Sequence, residues 1–146
     1  MIRICFTCLG NICRSPTAEA VMQWLIDQEK LGDKIQLDSS GTGDWHVGQQ
    51  ADPRTRAAAK ARGIDVTSIA RHAHSDDFGK FDYVIAMDRS NRDNLLRMAP
   101  DDAARAKVHL LRDFDPKSPK DSEVPDPYYG GEDGFNEVLD ICDAGC

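Results

Sequence analysis

A mostly apolar run over 2–7 ends in Cys8-Leu9-Gly10-Asn11-Ile12-Cys13-Arg14-Ser15, and Pro16 then opens a helical pattern. This order reads as strand, loop and helix, and it constrains the fold more than any other stretch. Backbone N–H groups at the start of a helix lack carbonyl partners and together carry about half a positive charge, so the junction suits an anion. Gly10 permits the backbone angles that turn N–H groups inward, and Asn11 tolerates a left-handed conformation. Arg14 supplies a planar fork for two phosphate oxygens. Cys8 enters the loop as a thiolate candidate. Ser15 is placed to cap the helix and to donate to that sulfur. The stretch is expected to set a nucleophile against a phosphoryl group.

The rest of the chain supplies a frame for this loop. Ala18, Val21, Met22 and Leu25 fall at i, i+3, i+4 and i+7, which predicts a helix ending near Gly32. Residues 35–39 read as a second strand, so a βαβ unit with a right-handed crossover opens the chain. Asp52-Pro53 starts an alanine-rich helix that Gly63 stops. The stretch 64–80 is irregular, with a helical turn around Asp76 and Phe78. Residues 81–87 form a buried strand, and Asp88 follows at the carboxyl edge, where open α/β sheets bind ligands. A helix over 90–98, a short strand over 108–111 and a long proline-containing loop over 112–131 come next. Phe135, Val138, Leu139 and Cys142 then mark an amphipathic closing helix. The expected fold is one α/β domain over 1–146, doubly wound, with about four parallel strands flanked by helices and the phosphate loop between the first strand and first helix.

Charge narrows the partners. The chain has 146 residues and a net charge of −7, which argues against the basic face that nucleic acid or an anionic membrane requires. It shows neither a signal-peptide pattern at the N-terminus nor an apolar stretch long enough to span a bilayer. A cytoplasmic protein is expected. Its five cysteines then read as thiols rather than as a disulfide framework.

Several residues carry more than one reading. Cys5-Phe6-Thr7-Cys8 spells C-x-x-C, a redox or zinc half-motif. Residues three apart on a strand point to opposite faces, so Cys5 should face the core while Cys8 leaves the strand. No second ligand pair follows with finger-like spacing, and no metal is expected. Cys8 as a small buried hydrophobe remains the plain alternative. Trp45, in a glycine-rich stretch, is either a core plug or a ligand wall, and its position alone favours the core. A leaving group also needs a proton, and Asp126 is the best-placed of many carboxylates. It stands in Asp126-Pro127-Tyr128-Tyr129, where Pro127 holds it extended; an Asp-Pro turn is the alternative.

Cys8 to Pro16 together with Asp126-Pro127-Tyr128-Tyr129-Gly130 resembles the paired signatures of the low-molecular-weight protein tyrosine phosphatases. The likeness takes in Asp44-Trp45, Val47-Gly48, Asp52-Pro53-Arg54, Phe81-Asp82-Tyr83 and Met87-Asp88, and so covers nearly the whole chain. The resemblance implies a protein-tyrosine phosphatase in which Cys8 becomes a phosphocysteine and Asp126 is acid in the first step and base in the second. It implies that the backbone from Leu9 through Gly10, Asn11, Ile12 and Cys13 to Arg14 cradles the phosphoryl oxygens, and that Arg14 grips two of them. Ser15 stabilises the thiolate, Asn11 braces the loop through Ser39, and Asp88 orients Arg14. Trp45, Tyr128 and Tyr129 become aromatic walls, with Leu9 on the rim.

Cys13 is implied as the redox partner of Cys8, with an inert loop thiol as the alternative. No cofactor or metal is required. The implied partners are tyrosine-phosphorylated proteins, a tyrosine kinase among them, acted on by a monomer. Two departures stand out: Ser68 occupies a place where many animal relatives carry a histidine supporting the loop, and the closing helix ends at Cys146, earlier than is usual. Arsenate reduction on a similar fold is the competing activity. A cysteine pair is missing between Asp65 and Cys142, and the acid at Asp126 suits hydrolysis. A non-catalytic phosphotyrosine-binding module is the third reading, and it would not need both Cys8 and Asp126.

Overall fold

Short runs rich in Val, Ile and Phe, separated by helices, can bury both faces of a parallel sheet. Strands β1 (Ile2–Cys8), β2 (Ile35–Gly41), β3 (Tyr83–Ala86) and β4 (Val108–Leu110) form such a sheet in the order β2-β1-β3-β4 with every pairing parallel, burial being fullest at their carboxyl ends. The helices are α1 (Arg14–Gln28), α2 (Pro53–Lys60), α3 (Asp77–Lys80), α4 (Arg89–Met98), α5 (Asp102–Arg105) and α6 (Glu132–Gly145). The computed structural model describes residues 1–119, 122–125 and 132–146, the side chains of 132 and 133 excepted. The expected α/β architecture is present.

The sheet is covered on both faces, and alternation along β1 decides which side chain goes where. Phe6 and Cys8 pack on one side with Ala18, Val21, Val138, Leu139 and Cys142. Cys5 packs on the other with Phe78, Val84, Leu95 and Leu110. The two cysteines of the C-x-x-C are thus on opposite faces, as the strand period requires. The strand order reverses between β1 and β3: the chain leaves β1 toward β2 on one side and reaches β4 beyond β3 on the other. A crevice opens at such a reversal beyond the carboxyl ends of the strands. Cys8 ends β1 there, and Asp88 follows β3.

Several boundaries differ from expectation. β2 continues to Gly41 rather than stopping at Ser39, pairing Cys8 with Gly41. A Cβ on Gly41 would stand 2.7 Å from the Leu9 carbonyl oxygen, so only glycine lets the strand run on beneath the loop. Helix α1 begins at Arg14 with Cys13 as its N-cap and no side-chain capping bond. Ser15 is therefore inside the first turn rather than the cap, because its hydroxyl is engaged elsewhere. The same helix stops at Gln28, short of Gly32, and Lys30 takes the left-handed turn with φ 56°. The four-residue α5 was not expected; Asp101 caps it by accepting from the Ala104 N–H at 2.8 Å, and it is too short to show a period. Gly63, at φ 77°, ends the α2 region as expected. Among the described residues no helix is long and apolar enough to cross a membrane.

Candidate active site

β1 delivers Cys8 to the sheet edge, 2% exposed. Its Sγ accepts the Asn11 backbone N–H at 3.3 Å and lies 3.0 Å from Ser15 Oγ. Asn11 reaches the sulfur because its φ is 58°, a left-handed conformation that Asn tolerates. Its side chain works in two directions: Nδ2 donates to Ser15 Oγ at 2.8 Å, and Oδ1 accepts the Arg71 backbone N–H at 3.0 Å. The Ser15 hydroxyl therefore has one proton to give. Cys8 Sγ at 3.0 Å and the Ser40 carbonyl at 3.3 Å compete for it, and an anionic sulfur is the stronger acceptor.

The expected brace from Asn11 to Ser39 is not formed. Ser39 Oγ is buried without hydrogen-bond geometry to any partner, and Asn11 is held by Ser15 and Arg71 instead. Arg71 is the site residue that sequence reasoning missed. Its guanidinium bonds Asp38 at 3.0 Å and Asp77 at 3.1 Å, and Nη2 stands 3.5 Å from Cys5 Sγ. These contacts fix the segment whose backbone clamps Asn11. A main-chain donor leaves no signature in a sequence, so no signal pointed to it.

Arg14 opens α1 but is buried, 3% exposed. Its Nη1 donates to Asp88 Oδ2 at 2.5 Å and to the Val124 carbonyl at 3.1 Å. Asp88 Oδ1 accepts the Asn91 N–H at 2.7 Å and so caps α4. One carboxylate thus holds a helix and a guanidinium at once. The Val124 N–H donates to the Met87 carbonyl at 2.7 Å, which pins the segment just before residue 126 beside Arg14.

The rim comes from the chain after β2. Thr42 N–H donates to the Cys8 carbonyl at 2.9 Å and Gly43 N–H to the Leu9 carbonyl at 2.8 Å, laying this loop along the first. Leu9 is partly exposed on it, and Trp45 is 68% exposed, so the core reading of Trp45 is overturned. The His46 ring edge faces Gly10, where a Cβ would lie 3.0 Å from Cδ2. Ile12 and Cys13 are buried with Ala70 and Phe135. Ser68, lining a neighbouring polar cavity with Glu19, has a buried hydroxyl without a hydrogen-bond partner. Asp126, Tyr128 and Tyr129 lie outside the described residues.

Residues 3–146 match the model of the family described as low molecular weight phosphotyrosine protein phosphatase. A low molecular weight protein-tyrosine-phosphatase of Streptomyces coelicolor is 46% identical over 143 residues, covering 97% of this chain and 87% of that protein. A low molecular weight phosphotyrosine protein phosphatase of Sus scrofa is 41% identical over 140 residues, covering 95% of this chain and 87% of its own length. The crystal structure of a protein tyrosine phosphatase from Entamoeba histolytica with Hepes in the active site superposes with a TM-score of 0.95 at 47% identity, over 100% of this chain and 92% of that one. With a buried cysteine and arginine on one strand-to-helix loop, and with matches running almost end to end, the chain belongs to the low molecular weight phosphotyrosine protein phosphatase family, a family of protein-tyrosine phosphatases.

Proposed function

We infer that the protein hydrolyses phosphotyrosine in proteins, and small aryl phosphates, through a phosphocysteine. The observation that carries this reading is the setting of Cys8 Sγ, which has the Asn11 amide at 3.3 Å, the Ser15 hydroxyl at 3.0 Å and the buried Arg14 on the same loop. The Cys8 thiolate attacks phosphorus while the P–O bond to the aryl group breaks. Asp126, as carboxylic acid, gives its proton to the leaving oxygen. In the second step Asp126, now a carboxylate, takes a proton from water as that water attacks phosphorus. The P–S bond breaks, and Ser15 donates to the returning sulfur anion. Loop amides and Arg14 hold the equatorial oxygens, where charge is largest in the transition state, so the chemistry asks for no metal or cofactor.

Asp126 earns its role from its sequence context and from Val124, two residues earlier, which is bonded to Arg14 and Met87. Trp45, Tyr128 and Tyr129 form the walls for the ring of the substrate. Cys13 is the partner of Cys8 in a reversible disulfide, formed when a peroxide takes two electrons from the two thiols and reopened by a dithiol reductant. The substrates are tyrosine-phosphorylated proteins, a kinase among them, met by a monomer.

The test is turnover of phenyl phosphate and of a tyrosine-phosphorylated peptide in the presence of chelator, run beside arsenate reduction coupled to thioredoxin. Hydrolysis that vanishes in Cys8→Ser is expected. Asp126→Ala should slow esters of poor leaving groups far more than esters of good ones. Arsenate reduction without ester hydrolysis would falsify the reading.

A further inference from the structure

Position 43 is glycine for a reason its backbone does not supply. Its φ lies outside the left-handed region, and the hydrogen bond from its N–H to the Leu9 carbonyl is one that any residue but proline can make. What excludes a side chain is the Trp45 indole. A Cβ on Gly43 would stand 1.9 Å from Trp45 Cζ3, 2.4 Å from Cε3 and 2.8 Å from Cη2, whereas carbon atoms settle about 3.5–4.0 Å apart. The benzo edge of the indole thus rests on the bare Cα of Gly43. Trp45 is at the same time 68% exposed, so most of its surface faces solvent rather than a packed core.

Gly43 is also one hydrogen bond from the residue that follows the nucleophile. The path from sulfur to wall is short: Cys8, the Leu9 carbonyl, the Gly43 amide, and the indole seated on Gly43. We propose that Gly43 is a positioning residue for Trp45, fixing the aromatic wall relative to Cys8 and so making the mouth selective for planar aryl phosphomonoesters over alkyl ones. The proposal rests on the reading of Trp45 as a substrate wall. A methyl at position 43 forces the ring outward by roughly 1.5 Å to restore contact distance. A shift of that size matters for the ring of a substrate and not for inorganic phosphate, which needs only the loop.

The experiment compares Gly43→Ala, Trp45→Ala and the double variant. Phenyl phosphate and a simple alkyl phosphate are the substrates, and inorganic phosphate is the competing inhibitor. Acrylamide quenching of Trp45 is followed in a Trp24→Phe background, so that one indole reports. Gly43→Ala should raise KM for phenyl phosphate roughly three- to tenfold, the size of one lost aromatic contact. Its kcat should change less, and inhibition by phosphate should stay within about twofold. Quenching of Trp45 should rise. On the Trp45→Ala background the same substitution should change nothing further.

An unchanged KM with unchanged quenching overturns the proposal, as does an equal loss on the Trp45→Ala background, which would assign the glycine to the backbone. Gly43→Ser, carrying the same Cβ, decides the matter should the alanine variant fail to fold. If the parent protein turned over no aryl phosphate, the phosphatase reading would fall, and the quenching arm alone would still decide whether Gly43 holds Trp45.

Discussion

Arg14 and Asp88, 74 positions apart, meet through a bond of 2.5 Å from Nη1 to Oδ2. The other oxygen of the same carboxylate caps α4. Asparagine is also a good N-cap, so Asp88→Asn separates the two duties. It should keep the melting temperature close to that of the parent while lowering kcat/KM for aryl phosphate about 10- to 100-fold, the scale of a misplaced catalytic group. Asp88→Ala should add a stability loss of about 1 kcal/mol for the missing cap. Parent-like turnover in Asp88→Asn would show that Arg14 needs no anionic partner.

Asn11 serves the nucleophile with its backbone and its side chain together. Asn11→Ala gives up the bonds to Ser15 and from Arg71 and leaves alanine at φ 58°. A left-handed non-glycine residue costs about 1–2 kcal/mol and each lost hydrogen bond about 1. Denaturant unfolding should therefore report a loss of roughly 2–4 kcal/mol, and alkylation of Cys8 should slow. Asn11→Gly, which relieves only the backbone, should recover part of the stability and none of the alkylation rate. Recovery of both would trace the role of Asn11 to its φ alone.

Thiol reactivity should set Cys8 apart from Cys5, Cys142 and Cys146. Burial pushes the Cys5 thiol up to about 12, the Ser40 hydroxyl and Arg71 offsetting only part of it, and burial with Asp143 nearby pushes Cys146 up to about 12. Cys142, fully enclosed, is raised as well. A raised thiol stays protonated as pH climbs toward its own value, and the thiolate is the form that alkylates. Iodoacetamide at neutral pH should thus label Cys8 ahead of Cys5, Cys142 and Cys146, with peptide mass spectrometry as the readout. Early labelling of Cys5 would contradict its enclosure.

Glu19 on α1 should make stability fall as pH rises. Burial raises its pKa, while the Ser39 hydroxyl, near enough to lower it without full hydrogen-bond geometry, offsets part of the shift. Between the ordinary and the raised value the folded protein keeps a proton that the unfolded chain has released, so the unfolded state binds fewer protons and stability declines with pH. Glu19→Gln removes that slope. Its melting temperature relative to the parent should improve from about pH 4 to about pH 7; a constant difference would mean that Glu19 titrates alike in both states.

How much was legible in advance depends on distance along the chain. The βαβ opening, the helix after Asp52-Pro53, the strand before Asp88 and the closing helix could be read because period and punctuation are local. The length of α1 could not, since Lys30 rather than Gly32 turned the chain. The partner of Asn11 was misplaced to Ser39 for a similar reason: Arg71 acts through a main-chain N–H, and every residue but proline has one.

The sequence by itself determined which groups the loop gathers, because Cys8, Asn11, Arg14 and Ser15 all lie within residues 8–15. It also determined that β1 runs parallel to its neighbours, while burial is confined to its second half, Cys5 to Cys8. The tertiary structure alone decided that Trp45 stands in solvent on Gly43, that Arg71 holds the loop from below, and that one carboxylate serves both α4 and Arg14. The Arg71 and Asp88 contacts join surfaces brought together only when β2 and β3 flank β1, and depend on packing across the sheet, whereas the seat of Trp45 on Gly43 depends on the course the loop takes after β2.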